Sequence, residues 1–154
     1  MGPATVSARV PLCGMLADPA MAGAYFVARD ERQAYADAAG LLGFASAVID
    51  FDGCRDKADA LCRFARELRF PEWFGHNWDA LADCLADLSW MPADGYLLML
   101  ANTEGWRQAD QESFDLAIEV LGQAAEGWIG ERVPFWALVL VDDPFAATPG
   151  PGPR

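Results

Sequence analysis

The sequence predicts an α/β fold in which helices flank a three-stranded parallel sheet. Three apolar runs, at residues 44–51, 96–101 and 135–141, are short enough for strands and apolar enough to be buried on both faces. Segments with helical periodicity separate these runs, and such alternation favours parallel pairing through right-handed crossovers. The chain has 154 residues, 53% of them hydrophobic, which suits one domain with a genuine core.

The ends of the chain differ in composition from its middle. Residues 1–22 are rich in Ala, Pro and Gly without a clear period, so we expect an irregular arm there. Residues 146–154 carry repeated Pro and Gly and predict a flexible tail. The folded domain is therefore expected to span residues 23–145.

The first elements of this domain form an N-terminal extension, comprising an edge strand at residues 24–28 and a helix. Asp30 is the expected N-cap of that helix, and Gln33 follows three residues later, as in a capping box. Gly40 or Gly43 is expected to end the helix.

Two further helices are predicted from apolar periodicity. Residues 57–69 place one apolar side on a helix that Pro71 ends, and residues 110–126 form a longer helix before the last strand. The apolar side of the first consists of Leu61, Phe64, Ala65 and Leu68.

The helix expected at residues 78–88, with Asn77 as its N-cap, has two contrasting faces. At 100° per residue, one face gathers Trp78, Leu81, Leu85 and Leu88. The opposite face carries Asp79, Asp83 and Asp87. Like charges four residues apart disfavour a helix slightly, and a cationic partner would offset that cost. The alternative is a face that is merely solvated.

Aromatic residues occupy the loop before this helix, where polar residues are more usual. Trp73 and Phe74 lie between Pro71 and Gly75. Large aromatic side chains with few rotamers are common interface anchors beside charged groups. They can equally close the core, which is the interpretation we favour for Phe74, whereas Trp73 fits either.

The net charge is −12, from 11 basic and 23 acidic residues. Such a surface repels phosphate backbones, so we expect no direct nucleic-acid binding, and it attracts basic proteins. Acidity can also serve solubility alone. Cys13, Cys54, Cys62 and Cys84 lack the spacing of a disulfide framework or a zinc site. Neither a signal peptide nor a membrane-spanning run is evident, so we expect a cytoplasmic protein without membrane contact.

Residues 70–85, FPEWFGHNWDALADCL, closely resemble the signature of the barstar family. That signature runs Pro-Glu, two aromatics, Gly, any residue, Asn, an apolar residue, Asp-Ala-Leu, any residue and Asp-Cys-Leu. A looser resemblance extends from about residue 44 to residue 141 and leaves out residues 1–40 and the C-terminal tail. It implies a three-stranded parallel sheet flanked by helices, and inhibition of a basic extracellular-type ribonuclease or ribonuclease toxin without catalysis.

The resemblance also implies roles for individual residues. Asp83 matches the carboxylate that enters the phosphate site of the ribonuclease, and Asp79 matches a second acid on the same helix. Trp73 stands where the family has a tyrosine against the rim of the active site. Gly75 and Asn77 match positions that shape the loop and cap the helix.

Several positions depart from the family's founding member. Ala82 replaces a tryptophan, Asp87 a glycine and His76 a glutamate; the last two are included in the expected partner-binding surface. The acid that a later helix contributes has no certain equivalent, and Glu126 is a candidate. These departures leave the identity of the ribonuclease open.

An alternative function is a small phosphatase of the haloacid-dehalogenase type. Asp50 and Asp52, directly after a predicted strand, resemble its first motif, in which one aspartate attacks phosphate and the other is the acid/base. Thr103 and residues 142–143 loosely resemble later motifs. Against this alternative, Lys57 is the only lysine, and it lies far upstream of the segment between the second and last motifs, where that family has its cationic lysine.

Other site classes find little support in the sequence. His76 is the only histidine, so neither a His-based zinc site nor a His-dependent triad is complete, and we expect no metal or cofactor. Cys84, next to Asp83, is expected to be a half-buried, inert thiol, because neighbouring acids raise thiol pKa. A scaffold or oligomer-forming module is a third possibility that no particular residue favours.

Overall fold

The computed structural model describes residues 12–144. Its strands are β1 Ala24–Ala28, β2 Ala45–Asp50, β3 Tyr96–Ala101 and β4 Phe135–Val141. We label five α-helices: α1 Arg32–Leu41, α2 Lys57–Leu68, α3 Trp78–Asp87, α4 Glu104–Ala109 and α5 Gln111–Gly130. The strands form one parallel sheet in the order β1-β4-β3-β2.

The sheet confirms the predicted α/β class and its parallel pairing. Every residue of β3 and β4 is buried, which explains why both strands are continuous apolar runs. The expected edge strand, β1 from the N-terminal extension, pairs with β4 and adds a fourth strand to the three-stranded sheet.

Helices cover both faces of the sheet. A larger core lies between one face and the helices α2, α3 and α5, and a smaller core on the other face includes residues of α1. Leu16, in a helical stretch at residues 12–16, is fully buried in the smaller core, and its carbonyl accepts a hydrogen bond from the indole N–H of Trp136 at 3.0 Å. The described part of the expected irregular arm is therefore more regular than predicted.

The predicted cap of α1 is wrong. Asp30 lies in a 3-10 turn, Arg29–Glu31, and the N-cap is Glu31, whose side chain makes no capping hydrogen bond. Gln33 instead donates to Asp37 at 2.8 Å. Gly43 follows the helix in the left-handed region, at φ +76°, where glycine is favoured.

The helices after β3 also differ from expectation. A short helix, α4, precedes Asp110, which caps α5 by accepting a hydrogen bond from the N–H of Ser113. The helix α5 ends at Gly130 rather than at residue 126. These additional residues matter because the end of α5 lies beside α3.

Candidate functional site

The helix α3 begins at the predicted asparagine cap. The side-chain oxygen of Asn77 accepts a hydrogen bond from the backbone N–H of Ala80 at 2.7 Å. Its side-chain nitrogen donates to the carbonyl of Gly75 at 3.3 Å. The cap therefore ties the preceding loop to the first turn of the helix.

The two faces of α3 are those expected from the spacing. Leu81, Leu85 and Leu88 are buried and Trp78 is half-buried, whereas the three aspartates are exposed. Within residues 12–144, no ion pair involves Asp79, Asp83 or Asp87. Their charges are therefore available to an external cation.

The two aromatic residues of the loop before α3 lie in different environments. Phe74 is only 5% exposed, and its ring centroid lies 4.9 Å from that of Phe70 and 4.7 Å from that of His76. Trp73 is 61% exposed. Phe74 thus closes the core, as favoured, while Trp73 presents its indole to solvent beside the acidic helix.

The backbone of this loop has an unexpected feature at His76. This exposed residue has φ +55°, in the left-handed region that costs energy for residues with a Cβ. Gly75 is not in that region, but a Cβ there would lie 3.3 Å from the side-chain nitrogen of Asn77. Gly75 therefore leaves room for the capping side chain, while His76 makes the turn.

Cys84 is more buried than predicted. Its side chain packs fully inside the core rather than on a flank of α3. Burial raises the pKa of this thiol, and the charges of Asp83 and Asp87 raise the pKa further. Cys84 is therefore a packing residue next to the acidic face.

An open groove of about 500 Å³ lies between α3 and α5, beside the acidic face. Its lining residues are Ala82, Asp83, Ala86, Val120, Gln123, Ala124, Gly127, Trp128 and Glu131. We call this the α3–α5 groove. Its two acidic residues are Asp83 on α3 and Glu131 at the C-cap of α5.

Glu126, the candidate acid from the later helix, does not line the α3–α5 groove. Five residues correspond to about 140° around a helix, so Glu126 and Glu131 point in different directions. Sequence reasoning missed Glu131 because it expected the helix to end at residue 126. The helical spacing of Val120, Ala124 and Glu131, which places them on one face, could have indicated that Glu131 belongs to the groove.

A second polar cluster lies at the carboxyl ends of the strands. The amide of Asn102 donates to the carboxylate of Asp50 at 2.9 Å, which lowers the pKa of Asp50, and the N–H of Asp52 lowers it further. Arg29 pairs with Asp142 at 2.7 Å and with Glu104 at 2.6 Å. Asp50 and Asp142 are therefore engaged by an amide and a guanidinium.

This arrangement does not support the phosphatase alternative. Asp50 ends the edge strand β2, and Asp142 follows β4. Because β3 lies between these two strands, Asp50 and Asp142 do not come from neighbouring strands. Asp52 is exposed, and Thr103 is fully buried. Among residues 12–144, no group of three or more His, Cys, Asp or Glu side chains could hold a metal ion.

The similarity of this chain to known proteins lies at the level of the protein family. No curated protein matches it. In the described part of the chain, no helix has the length and apolar character needed to cross a membrane. The family model described as Barstar (barnase inhibitor) matches residues 44–140, which contain the aromatic loop, the acidic helix and the α3–α5 groove. The chain therefore belongs to the barstar family, whose members are ribonuclease inhibitors.

Proposed function

We propose that this protein inhibits a basic microbial ribonuclease by inserting α3 and the loop before it into the active site of that enzyme. The observation that carries the proposal is the row of three exposed aspartates on α3, which make no ion pair within residues 12–144. A ribonuclease active site that binds phosphate is rich in cations, and a row of carboxylates is complementary to it.

Each residue of this surface has a proposed role. Asp83, at the middle of the row, enters the phosphate site, and Asp79 pairs with a neighbouring cation. Trp73 packs its exposed indole against the rim of the active site. His76 and Asp87 flank these contacts and differ from the founding inhibitor, so they bear on which ribonuclease is recognised.

Gly75 and Asn77 act through the shape of the loop. The hydrogen bonds of Asn77 hold α3 and the loop in one geometry before binding. A preorganised surface loses less conformational entropy on association, which favours affinity. Inhibition then needs only steric and electrostatic occlusion, and no covalent bond is made or broken.

The cellular setting follows from the same proposal. The cysteines Cys13, Cys54, Cys62 and Cys84 are all free, which is typical of a reducing compartment. We propose that the protein acts in the cytoplasm as an immunity factor, where it neutralises a ribonuclease or ribonuclease toxin of the extracellular type. Binding occurs between proteins, without direct contact to nucleic acid or a membrane.

Inhibition assays test the proposal directly. Purified protein is titrated into barnase and into a panel of small, basic ribonucleases and ribonuclease toxins, and cleavage of a fluorogenic RNA is followed. We expect stoichiometric inhibition of at least one enzyme, and loss of that inhibition in Asp83→Ala. If no enzyme of the panel is inhibited, the proposed function is wrong.

A further inference from the structure

The α3–α5 groove is open because four of the residues that line it are small. Ala82 and Ala86 on α3 lie opposite Ala124 and Gly127 on α5. Leucine or a larger residue at these positions would narrow the groove. Its volume of about 500 Å³ falls in the range of about 300–1,000 Å³ typical of ligand pockets.

The wall of this groove is held in place before any partner binds. The indole N–H of Trp128 donates to the carbonyl of Leu85 at 2.8 Å, and its ring centroid lies 5.4 Å from that of Tyr96. These contacts hold the indole in its place in the wall of the groove. Val120 completes an uncharged, largely apolar floor.

The rim of the groove is acidic. Within residues 12–144, neither Asp83 nor Glu131 makes an ion pair. With a net charge of −12, this rim disfavours nucleic acid, anionic metabolites and a second copy of the chain. It favours a partner whose surface is basic around the point of contact.

We propose that the α3–α5 groove receives a projecting aromatic side chain of the basic ribonuclease, a proposal that rests on the proposed function. The apolar floor matches an aromatic ring, which buries a large area at low entropic cost. Cations that flank this ring on the ribonuclease meet Asp83 and Glu131 at the rim. The groove thus adds an apolar anchor to the electrostatic contacts of the acidic face.

A first experiment tests the groove without the ribonuclease. N-acetyl-L-phenylalaninamide and N-acetyl-L-argininamide are titrated into the protein, with the indole N–H of Trp128 and the methyl groups of Ala82 and Ala124 as NMR reporters. We expect saturable shifts with the phenylalanine compound that are lost in Ala86→Leu. Stronger shifts with the arginine compound would make the occupant a cation instead, and no saturable shift with either would overturn the proposal.

A second experiment uses the complex with a ribonuclease that the protein inhibits. Ala86→Leu narrows the groove and should weaken binding about tenfold or more. Ala58→Leu, at an exposed position of α2, is the matched control and should bind as the wild type. Equal affinity of both variants would overturn the groove proposal while leaving inhibition by α3 intact, whereas failure of the wild type to inhibit any ribonuclease would overturn the proposed function itself.

Discussion

At the scale of single residues, substitution of Asp83 should weaken binding without lowering the stability of the free protein. It lies between Asp79 and Asp87 on one helix face, and the three charges repel one another. Asp83→Ala should therefore leave the free energy of unfolding unchanged or raise it by about 0.2–0.5 kcal/mol. The same change should weaken ribonuclease binding by about 2–5 kcal/mol, because cations of the enzyme would be buried without a partner.

Calorimetry and urea denaturation of the same variants measure both effects of Asp83→Ala. Asp87→Ala should cost less binding energy than Asp83→Ala. Asp30→Ala removes an exposed carboxylate far from α3 in sequence, in the turn before α1, and should not affect affinity. Wild-type affinity in Asp83→Ala, or a loss explained entirely by unfolding, would show that α3 is not the inhibitory surface.

Trp73 should contribute to binding much more than to folding. Its side chain is 61% exposed, so Trp73→Ala should lower the free energy of unfolding by less than about 1 kcal/mol and weaken binding by about 2 kcal/mol. Leu41, which is 72% exposed on α1, provides the control, because Leu41→Ala removes an exposed apolar side chain elsewhere. Equal affinities of the two variants would contradict an anchoring role for Trp73.

The buried thiols predict how stability depends on alkaline pH. Burial raises the pKa of Cys54 to about 11 and also raises the pKa of Cys84. In the unfolded chain these thiols ionise at about pH 8.5, so the stability they provide is complete below that pH and is lost as pH rises towards the folded pKa.

Denaturation under reducing conditions between about pH 8 and 10 tests this expectation for the thiols. Cys54→Ala should be less stable overall and should show a shallower decline with pH than the wild type. Cys62→Ala, at an exposed position, should decline as the wild type does. The half-buried Tyr35 and the buried Tyr96, whose pKa values are also raised by desolvation, contribute in all three proteins.

At the scale of elements, the N-cap of α3 connects helix stability to the geometry of the loop. Asn77→Ala should cost about 1 kcal/mol of stability, because the N–H of Ala80 loses its acceptor. Affinity should also fall, since Trp73 and Asp79 are positioned by the loop and first turn that Asn77 holds together.

Asn77→Ser distinguishes the cap from other roles of that side chain. Serine is also a good N-cap, so this variant should recover most of the stability and affinity lost in Asn77→Ala. Urea denaturation and calorimetry measure both quantities. If Asn77→Ser regains stability but binds as weakly as Asn77→Ala, affinity depends on the side-chain nitrogen of Asn77, through its bond to Gly75 or a contact with the ribonuclease, and not on the cap.

At the scale of the whole molecule, the net charge of −12 predicts electrostatic steering towards a basic partner. The association rate constant should fall steeply as ionic strength rises, because the Debye length shortens from about 30 Å at 0.01 M to about 8 Å at 0.15 M. The dissociation rate should change much less. Stopped-flow mixing with an inhibited ribonuclease measures both rates, and an association rate that is independent of salt would exclude steering.

Whole-molecule topology also explains why the two acidic regions differ. Arg29, in the N-terminal extension, forms ion pairs with Glu104, which follows β3, and with Asp142, which follows β4. The aspartates of α3 have no such basic neighbour within residues 12–144. The acids that follow β3 and β4 are therefore paired within the fold, whereas the row on α3 is not.

The sequence by itself determined the elements whose signals are local or strictly periodic. The residue ranges predicted for β1, β3 and β4 agree with the structure, because the apolar runs are bounded by turn residues and, in β3 and β4, are buried on both faces. The start of α3 was equally predictable, since Asn77 caps it by accepting a hydrogen bond from Ala80, only three residues later in the sequence. The acidic face followed from the helical repeat alone.

Tertiary structure decided the features that depend on contacts distant in sequence. The pairing of β1 with β4, the burial of Leu16 beneath Trp136 and the exposure of Trp73 all depend on what packs against each residue. The groove and Glu131 on its rim arise only where α5 lies beside α3. Composition and periodicity describe one segment at a time, whereas the energy of burial is set by neighbours that the fold brings together.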